Sequence, residues 1–418
     1  MAAAPPVPAA PGPLDRLRRL EARLTPRAVN LLLATLLAVA AAVCFLGWLR
    51  ADRAGAAYQG GVDFQVFHRA AARFLDAEPL YRLDDGHYAF KYAPAVAMGL
   101  APLRLLPPAA AALAWSLLSA LALAGFMAWA SRRLGAPAAA STHLAVLVLT
   151  LPFSLHLFPL GQMEAVLLWL VARSEDQARR RPWLSGALWA AASLAKPPFL
   201  LLGVAALGLR QWRRLAALGV FLAAGLTAPA LRYGLSGALA ELAAWRGLLA
   251  ATTPGLLCDV QNQSAWSIAC TWLARPPGPA YVMALGAVAL VGTAGAAAAV
   301  ALAWRRDRQA GAFAAQAAAL WLTGFLSPLG WRTNLLGAIP ALYLLMDRAR
   351  AAPVRGARRL ALAGALGLFL VERLNYEVVG RERFFALLEW RHYGLSTAAA
   401  VLAALWALAW SLRRRDAT

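Results

Sequence analysis

The amino-acid sequence predicts an all-α, polytopic membrane protein, and three observations carry that reading. Of its 418 residues 61% are hydrophobic and only 15% charged, with a mean hydropathy of +0.57; an ordinary soluble domain carries about 25% charged residues. Several uncharged windows reach the roughly 20 apolar residues that a helix needs to cross a bilayer. The basic residues gather in short clusters between those windows, as the positive-inside rule requires. The net charge of +21 therefore reports topology and not a nucleic-acid partner. Cytosolic enzymes, secreted disulfide scaffolds and disordered tails are excluded.

The elements follow in chain order. Residues 1–27 are a cytoplasmic tail with a short basic helix from Leu14 to Leu24. The first span is 28–49, an uncleaved anchor too long for a signal peptide's core. Further apolar stretches lie at 109–130 and at 138–172, the latter interrupted by Pro159-Leu160-Gly161-Gln162. The stretch 183–209 contains Lys196-Pro197-Pro198, and consecutive prolines favour a break, so it is expected as a hairpin. Spans at 215–231, 281–304, 312–326, 335–346, 360–374 and 395–412 complete one membrane domain over 28–412, with a tail at 413–418. The broken stretches counted as pairs give about 12 segments. In that arrangement 25 of the 39 arginines fall on one side, which sets both termini in the cytoplasm. The long loops 50–108, 232–280 and 375–393 fall on the other, with tight turns at 159–162, 196–198 and 327–334. Short helices meeting at polar turns imply a cavity open to the extracytoplasmic side, since irregular backbone at membrane depth survives only where it lines protein or water.

Chemistry-bearing residues cluster at that side. From Phe64 onward, Phe64, Phe67, Ala71 and Phe74 recur at helical spacing with Arg69, Arg73 and Asp76 opposite, an amphipathic interfacial helix. Asp63 at its start reads either as an N-cap or as a carboxylate poised as general base. Asp84-Asp85 before Gly86 reads as a turn more readily than as a metal site. Lys91 beside Tyr92 offers either a point charge for phosphate or a snorkelling interfacial lysine. Gln162 and Glu164 open a short apolar helix, where a carboxylate marks either a functional site or a first-turn acid favoured by the helix dipole. Lys196 and Lys91 are the two lysines in the chain. Asn262-Gln263-Ser264 is also a glycosylation sequon. Ser327 to Asn334 places Trp331, Arg332 and Asn334 in one turn, with aromatic and polar groups for a sugar and a guanidinium for phosphate. His143 and His156 read as polar residues satisfied inside the bundle. Cys258 and Cys270, in a loop placed outside the cytoplasm, are either a disulfide or two buried thiols. No metal and no cofactor is expected: the chain shows no phosphate-binding glycine loop, no histidine ligand spacing and no Asp-x-Asp element.

Taken in order, Val62-Asp63-Phe64-Gln65-Val66-Phe67, Leu80-Tyr81, Tyr92-Ala93-Pro94, Gly161-Gln162, Ala195-Lys196-Pro197, Asn262-Gln263-Ser264 and Ser327-Pro328 with Trp331 resemble glycosyltransferase family 87. These are membrane enzymes of the GT-C type that use a polyprenyl-phosphate sugar. The resemblance implies a GT-C bundle and an inverting transfer of a sugar, mannose in the family's phosphatidylinositol-mannoside branch, to a lipid-linked or glycan acceptor. It implies Asp63 as the catalytic base. The cavity-side positions that the topology gives Lys91, Lys196 and Arg332 make them the candidates for contact to the donor phosphate, and Tyr92, Gln162, Glu164, Asn262, Gln263, Trp331 and Asn334 the candidates for substrate contact. Two departures stand out. The family's Tyr-Pro-Pro is Tyr92-Ala93-Pro94, and Arg332-Thr333-Asn334 stands where members commonly carry a histidine. The other readings are a transporter or flippase of a lipid-linked sugar, and a family member without catalysis.

Overall fold

The computed structural model describes residues 21, 24–53, 61–134, 139–276 and 278–412. Most of the expected N-terminal surface helix and the C-terminal tail lie outside them. The described chain is all-helical, with 83% helix and no strands. In chain order, α1 (Pro26–Arg53) and α4 (Pro108–Arg132) flank the loop segment that carries α2 (Val62–Leu75) and α3 (Pro94–Leu100). Then come α5 (Ala140–Leu149), α6 (Leu151–Leu160), α7 (Glu164–Gln177), α8 (Pro182–Ala195), α9 (Leu202–Gly208), α10 (Trp212–Thr227), α11 (Ala230–Thr252) and α12 (Ala265–Trp272). The C-terminal third holds α13 (Pro279–Arg306), α14 (Arg308–Phe325), α15 (Ile339–Ala351), α16 (Arg355–Glu372), the short α17 (Tyr376–Val379) and α18 (Arg381–Glu389), and α19 (His392–Ser411).

Among the described residues α1, α4, α13 and α19 are long and apolar enough to cross a membrane, and bent pairs α5/α6 and α10/α11 raise that to as many as six. The other expected segments correspond to shorter helices. The 138–172 stretch breaks not only at Gly161 but also between α5 and α6, bent by 66°.

The Lys196-Pro197-Pro198 break turns the chain back on itself. Trp189 Nε1 donates to the Phe199 carbonyl at 2.9 Å; in an unbroken helix ten residues would separate the two by about 15 Å. At the opposite end of the same helices, Ser174 donates to the Ser185 carbonyl at 2.8 Å and the buried Arg214 guanidinium pairs with Glu175 while stacking 4.8 Å from the Trp189 ring. Arg133, at the end of α4, reaches Asp176 at 3.1 Å. With Arg173, 3.2 Å from the same Asp176, arginines from three clusters thus gather at one end of the bundle, and the prolyl turn lies at the other.

Two sequence expectations need correction. The 232–280 segment is not an open loop: α11 runs through it as a helix kinked at Gly234, where φ is +70°. Apolar and polar residues are mixed along α11, so its periodicity is weak. Its stability comes from what it clasps: Tyr233 donates to the Glu78 carbonyl at 3.0 Å, Glu241 accepts from the Leu80 N–H at 3.1 Å, and Trp245 donates to the Lys91 carbonyl at 2.9 Å. Arg73 is not on an exposed face of α2 either. It is buried and grips Asp85 through both of its terminal nitrogens, with a further bond to the Leu80 carbonyl at 3.3 Å. A charge that finds a carboxylate and a carbonyl can be buried where hydropathy alone would leave it in water.

Cys258 and Cys270 are joined in a disulfide with Cα atoms 5.7 Å apart, inside the ordinary bridging range. The bond ties the segment before Asn262 to α12. In unreduced protein neither thiol takes an alkyl label, and mass spectrometry reads this directly. The chain-entropy model gives such a loop about 3 kcal/mol, so the Cys258→Ser/Cys270→Ser double variant unfolds at lower temperature. Full labelling of both residues without reductant would contradict the bridge.

Candidate functional site

The site is built where five chain segments meet. Gly61, at φ +68°, caps α2 without a side-chain bond, and its N–H donates to the Pro159 carbonyl. The returning turn needs Gly161 in the left-handed region at φ +72°, and a Cβ there would come within 2.7 Å of the Phe64 Cβ. Trp115 holds the same turn by donating to the Gly161 carbonyl at 2.7 Å. These contacts set Gln162 against the first turn of α2.

Asp63 occupies that first turn but caps nothing, since Gly61 is the N-cap and no side chain serves it. The N-cap reading therefore falls, and the buried carboxyl lies beside the Gln162 amide. Burial raises its pKa, while the Gln162 hydrogen bond and the nearby charges of Lys196, His87 and Lys91 act in the opposite sense. Burial thus favours the protonated carboxyl, while the N-terminal end of α2, the Gln162 bond and the neighbouring cations favour the carboxylate.

Lys91 and Tyr92 arrive from the loop between α2 and α3. Tyr81 donates to the Tyr92 carbonyl at 2.7 Å, Trp245 to that of Lys91, and the Ala93 N–H to the Leu194 carbonyl at 3.3 Å. The last bond carries the loop to within two residues of Lys196. Burial lowers the Lys91 ammonium pKa and the Asp63 charge raises it. Among the described residues Lys91 makes no ion pair. Lys196 does: its ammonium pairs with Glu164, which is only 2% exposed, and donates to the Asn334 side-chain carbonyl at 3.1 Å. Thr333 donates to the Gln162 side chain, so the 331–334 turn closes the ring of segments. Trp331 stands partly exposed at the head of that turn.

The structure brings Asp63, Lys91, Tyr92, Gln162, Glu164, Lys196 and Asn334 together. Of the other four, Trp331 stands at the head of the 331–334 turn, and Arg332, Asn262 and Gln263 are engaged elsewhere. Arg332 turns from Asp63, lies over the Phe384 and Tyr393 rings at 5.4 and 5.9 Å, and donates to Gln261 at 2.8 Å. His156 and His392 lie close to its guanidinium, so His156 is not simply a residue satisfied by the bundle; His143 is, against the Tyr343 hydroxyl. Asn262 and Gln263 are fully buried. The Asn262 amide donates to the Pro328 carbonyl at 2.8 Å and accepts from the Gly330 N–H at 3.0 Å. Gln263 donates to the Val260 carbonyl and accepts from the Gly394 N–H, each at 3.2 Å. The Asn262 amide shapes the 328–330 turn and the Gln263 amide ties the segment before it to the start of α19, and neither has surface to offer a substrate or a glycan. Sequence reasoning missed the brace from Glu241, Tyr233 and Trp245, and also Thr333. A carboxylate and two aromatics in a region otherwise read as loop were the available signal.

The chain matches no curated protein and no solved structure. The family model of glycosyltransferase family 87 matches residues 90–328, a span that contains Lys91, Tyr92, Gln162, Glu164, Lys196, Asn262 and Gln263 and stops short of Asp63 on one side and Arg332 on the other. That match covers more than half of the 418 residues, and the helical membrane architecture agrees with it: the chain belongs to glycosyltransferase family 87, a family of membrane glycosyltransferases.

Proposed function

We propose that the chain is an inverting hexosyltransferase that moves a sugar, mannose in the first instance, from a polyprenyl-phosphate donor to a lipid-linked or glycan acceptor. The carrying observation is Asp63: a carboxyl with no capping role and no salt bridge among the described residues, with Lys91 and Lys196 near enough to bias its ionisation. In the proposed step the Asp63 carboxylate takes the proton of the acceptor hydroxyl. The freed oxygen pair forms the new bond to the anomeric carbon on the face opposite the phosphate. The old bond from that carbon to the phosphate oxygen breaks, and its electron pair leaves with the polyprenyl phosphate, which gains one negative charge.

Cations positioned before the reaction stabilise that growing charge at little reorganisation cost. Lys91 is the stronger candidate, because the Lys196 charge is already balanced by Glu164. Lys196 then orients Asn334 and lends a smaller share of positive potential. Arg332 remains a donor-phosphate candidate only for a phosphate lying beyond the 331–334 turn, toward Phe384. Tyr92, Gln162, Trp331 and Asn334 supply the aromatic face and amide groups that a hexose requires. In this reading the protein is a multi-pass inner-membrane protein with about 12 segments, both termini are cytoplasmic, and the site opens to the extracytoplasmic face. The gathering of Arg133, Arg173 and Arg214 at the opposite end of the bundle supports that orientation, and so does the disulfide on the side of the site.

Asp63→Asn preserves shape and removes the base. Transfer from a polyprenyl-phosphate sugar in a reconstituted assay falls by about 10²–10⁴-fold, whereas a transporter of the same lipid would keep its flux; near-normal turnover in folded Asp63→Asn overturns the assignment. The pH profile adds a sign. Because burial raises the Asp63 pKa, the carboxylate form is lost at a pH above the ordinary aspartate value of about 3.9. Activity thus falls on acidification from a higher pH than an exposed aspartate gives. The same raised pKa favours the protonated fold, so this group's contribution to stability is present at low pH and is lost as pH rises through the raised value.

Removing one member of the Glu164–Lys196 pair separates its two roles. Lys196→Met strands a buried carboxylate, and breaking such a pair costs about 3–5 kcal/mol. The Lys196→Met/Glu164→Gln double variant therefore melts nearer the wild type while its KM for donor stays raised. Equal melting temperatures for the single and double variants would show the pair to be energetically idle.

A further inference from the structure

On the far side of α2 from the site lies a cavity of about 490 Å³, between the C-terminal part of α1 and the start of α4. Its lining divides into an apolar part, with Trp48, Phe64 and Pro108, and a basic part formed by His68, Arg69 and Arg104. No carboxylate lines it. Arg104 meets the His68 ring nitrogens at 3.2–3.3 Å and makes no ion pair among the described residues. Arg69 has Asp85 at 3.7 Å, but the oxygens of Asp85 are already held by Arg73, and its other bond is to the Tyr88 carbonyl at 2.8 Å. The groove thus carries two guanidinium groups with little carboxylate to balance them; the His68 ring, its pKa lowered by burial and by the Arg104 charge, accepts from Arg104 as a neutral imidazole, and the remaining guanidinium N–H groups suit an anion.

The surroundings specify where that anion comes from. Arg104 is followed by Leu105 and Leu106, exposed by 85% and 42%, and Leu46 on α1 is 52% exposed. Leucines this open, on and beside helices of spanning length, face acyl chains, and an arginine among them sits at headgroup level. We propose that this groove binds an anionic glycerophospholipid, its phosphate between Arg104, His68 and Arg69 and its acyl chains along α1 and the leucines after Arg104. The donor's prenyl phosphate does not fit this position. Asp63 shares its side of α2 with Phe67 and Ala70, half a turn from the groove residues, and a helix with its side chains is about 10 Å thick. The inference rests on the membrane setting alone, so it stands or falls independently of the transfer reaction.

Native mass spectrometry of the full chain in detergent tests it, with palmitoyl-oleoyl phosphatidylglycerol, the matching phosphatidylcholine, a polyprenyl phosphate and inorganic phosphate as probes. The expected result is retention of phosphatidylglycerol over phosphatidylcholine. Arg104→Gln weakens that retention by about tenfold, and Arg104→Lys largely keeps it. Should Arg104→Gln fail to fold, His68→Asn carries the comparison. Equal retention of the two phospholipids, or an unchanged phosphatidylglycerol affinity in the folded variant, overturns the proposal. So does loss of polyprenyl phosphate in place of phosphatidylglycerol, which makes the groove a donor site. Displacement of phosphatidylglycerol by millimolar inorganic phosphate likewise overturns it, because the site would then take phosphate alone.

Discussion

A single ammonium group links the parts of the candidate site. Lys196 sits where α8 ends against two prolines, and its nitrogen is shared between the Glu164 carboxylate at the start of α7 and the Asn334 side chain. Three segments far apart in sequence are thereby fixed at one end of the bundle. The ammonium is the compact, multiply donating charge that such a junction needs: it can serve a carboxylate and an amide at once, without the planar geometry a guanidinium imposes. The two prolines supply the other half of the constraint. They deny the chain a continuing helix, so the backbone turns here and returns, and the freed polar groups must find partners in the cavity or in neighbouring segments.

The rest of the site hangs from that junction through hydrogen bonds. Ala93 donates to Leu194, which positions Lys91 and Tyr92; Thr333 donates to Gln162, which positions the amide beside Asp63; Gly61 donates to Pro159, which positions Asp63 itself. Polar side chains in such a ring are surrounded by apolar helices, where an unmade hydrogen bond is costly. The consequence is rigidity at the place where the Asp63 carboxyl and the Lys91 and Lys196 ammonium groups lie near one another. A second ring, of Asn262 with Pro328 and Gly330 and of Gln263 with Gly394, holds the neighbouring turn and gives the 331–334 segment its direction.

How much of this the sequence disclosed follows from what each signal physically measures. Proline pairs and glycines report backbone breaks, so the hairpin at Lys196-Pro197-Pro198 and the turn at Gly161 were legible. Long uncharged runs report burial in lipid or protein, so α1, α4, α13 and α19 were legible as well. Hydropathy reports only average environment, and it fails where polar residues are buried with partners. Arg73 looked solvated until Asp85 was seen beside it, and α11 looked like loop because Glu241, Tyr233 and Trp245 bond to backbone that is distant in sequence. Asn262 and Gln263 read as ligand groups for the same reason: an amide that binds a sugar and an amide that clasps a turn are the same residue type. Direction was the hardest property of all. Residues 332, 333 and 334 adjoin in the chain, yet Thr333 and Asn334 reach the Asp63 side and Arg332 reaches Phe384 and Tyr393.

That divergence gives the 331–334 turn its interest. Residues Arg332–Ala338 form a 3₁₀ helix, in which successive side chains point about 120° apart, so three consecutive polar residues cannot all address one ligand. The turn instead separates two environments: one where Glu164 pairs with Lys196 and Asp63 lies near Lys91, and an aromatic one where Arg332 lies over Phe384 and Tyr393. A reaction that moves a sugar away from a phosphate has complementary needs, a carboxylate close to the acceptor hydroxyl and positive potential close to the leaving oxygen. Were the cations all packed against Asp63, they would hold its carboxylate ionised at the cost of its basicity. Pairing Lys196 with Glu164 and directing Arg332 elsewhere leaves Lys91 as the cation near Asp63 that has no ion pair among the described residues; in the proposed reaction that arrangement lets the carboxyl take a proton while a positive charge remains for the departing phosphate.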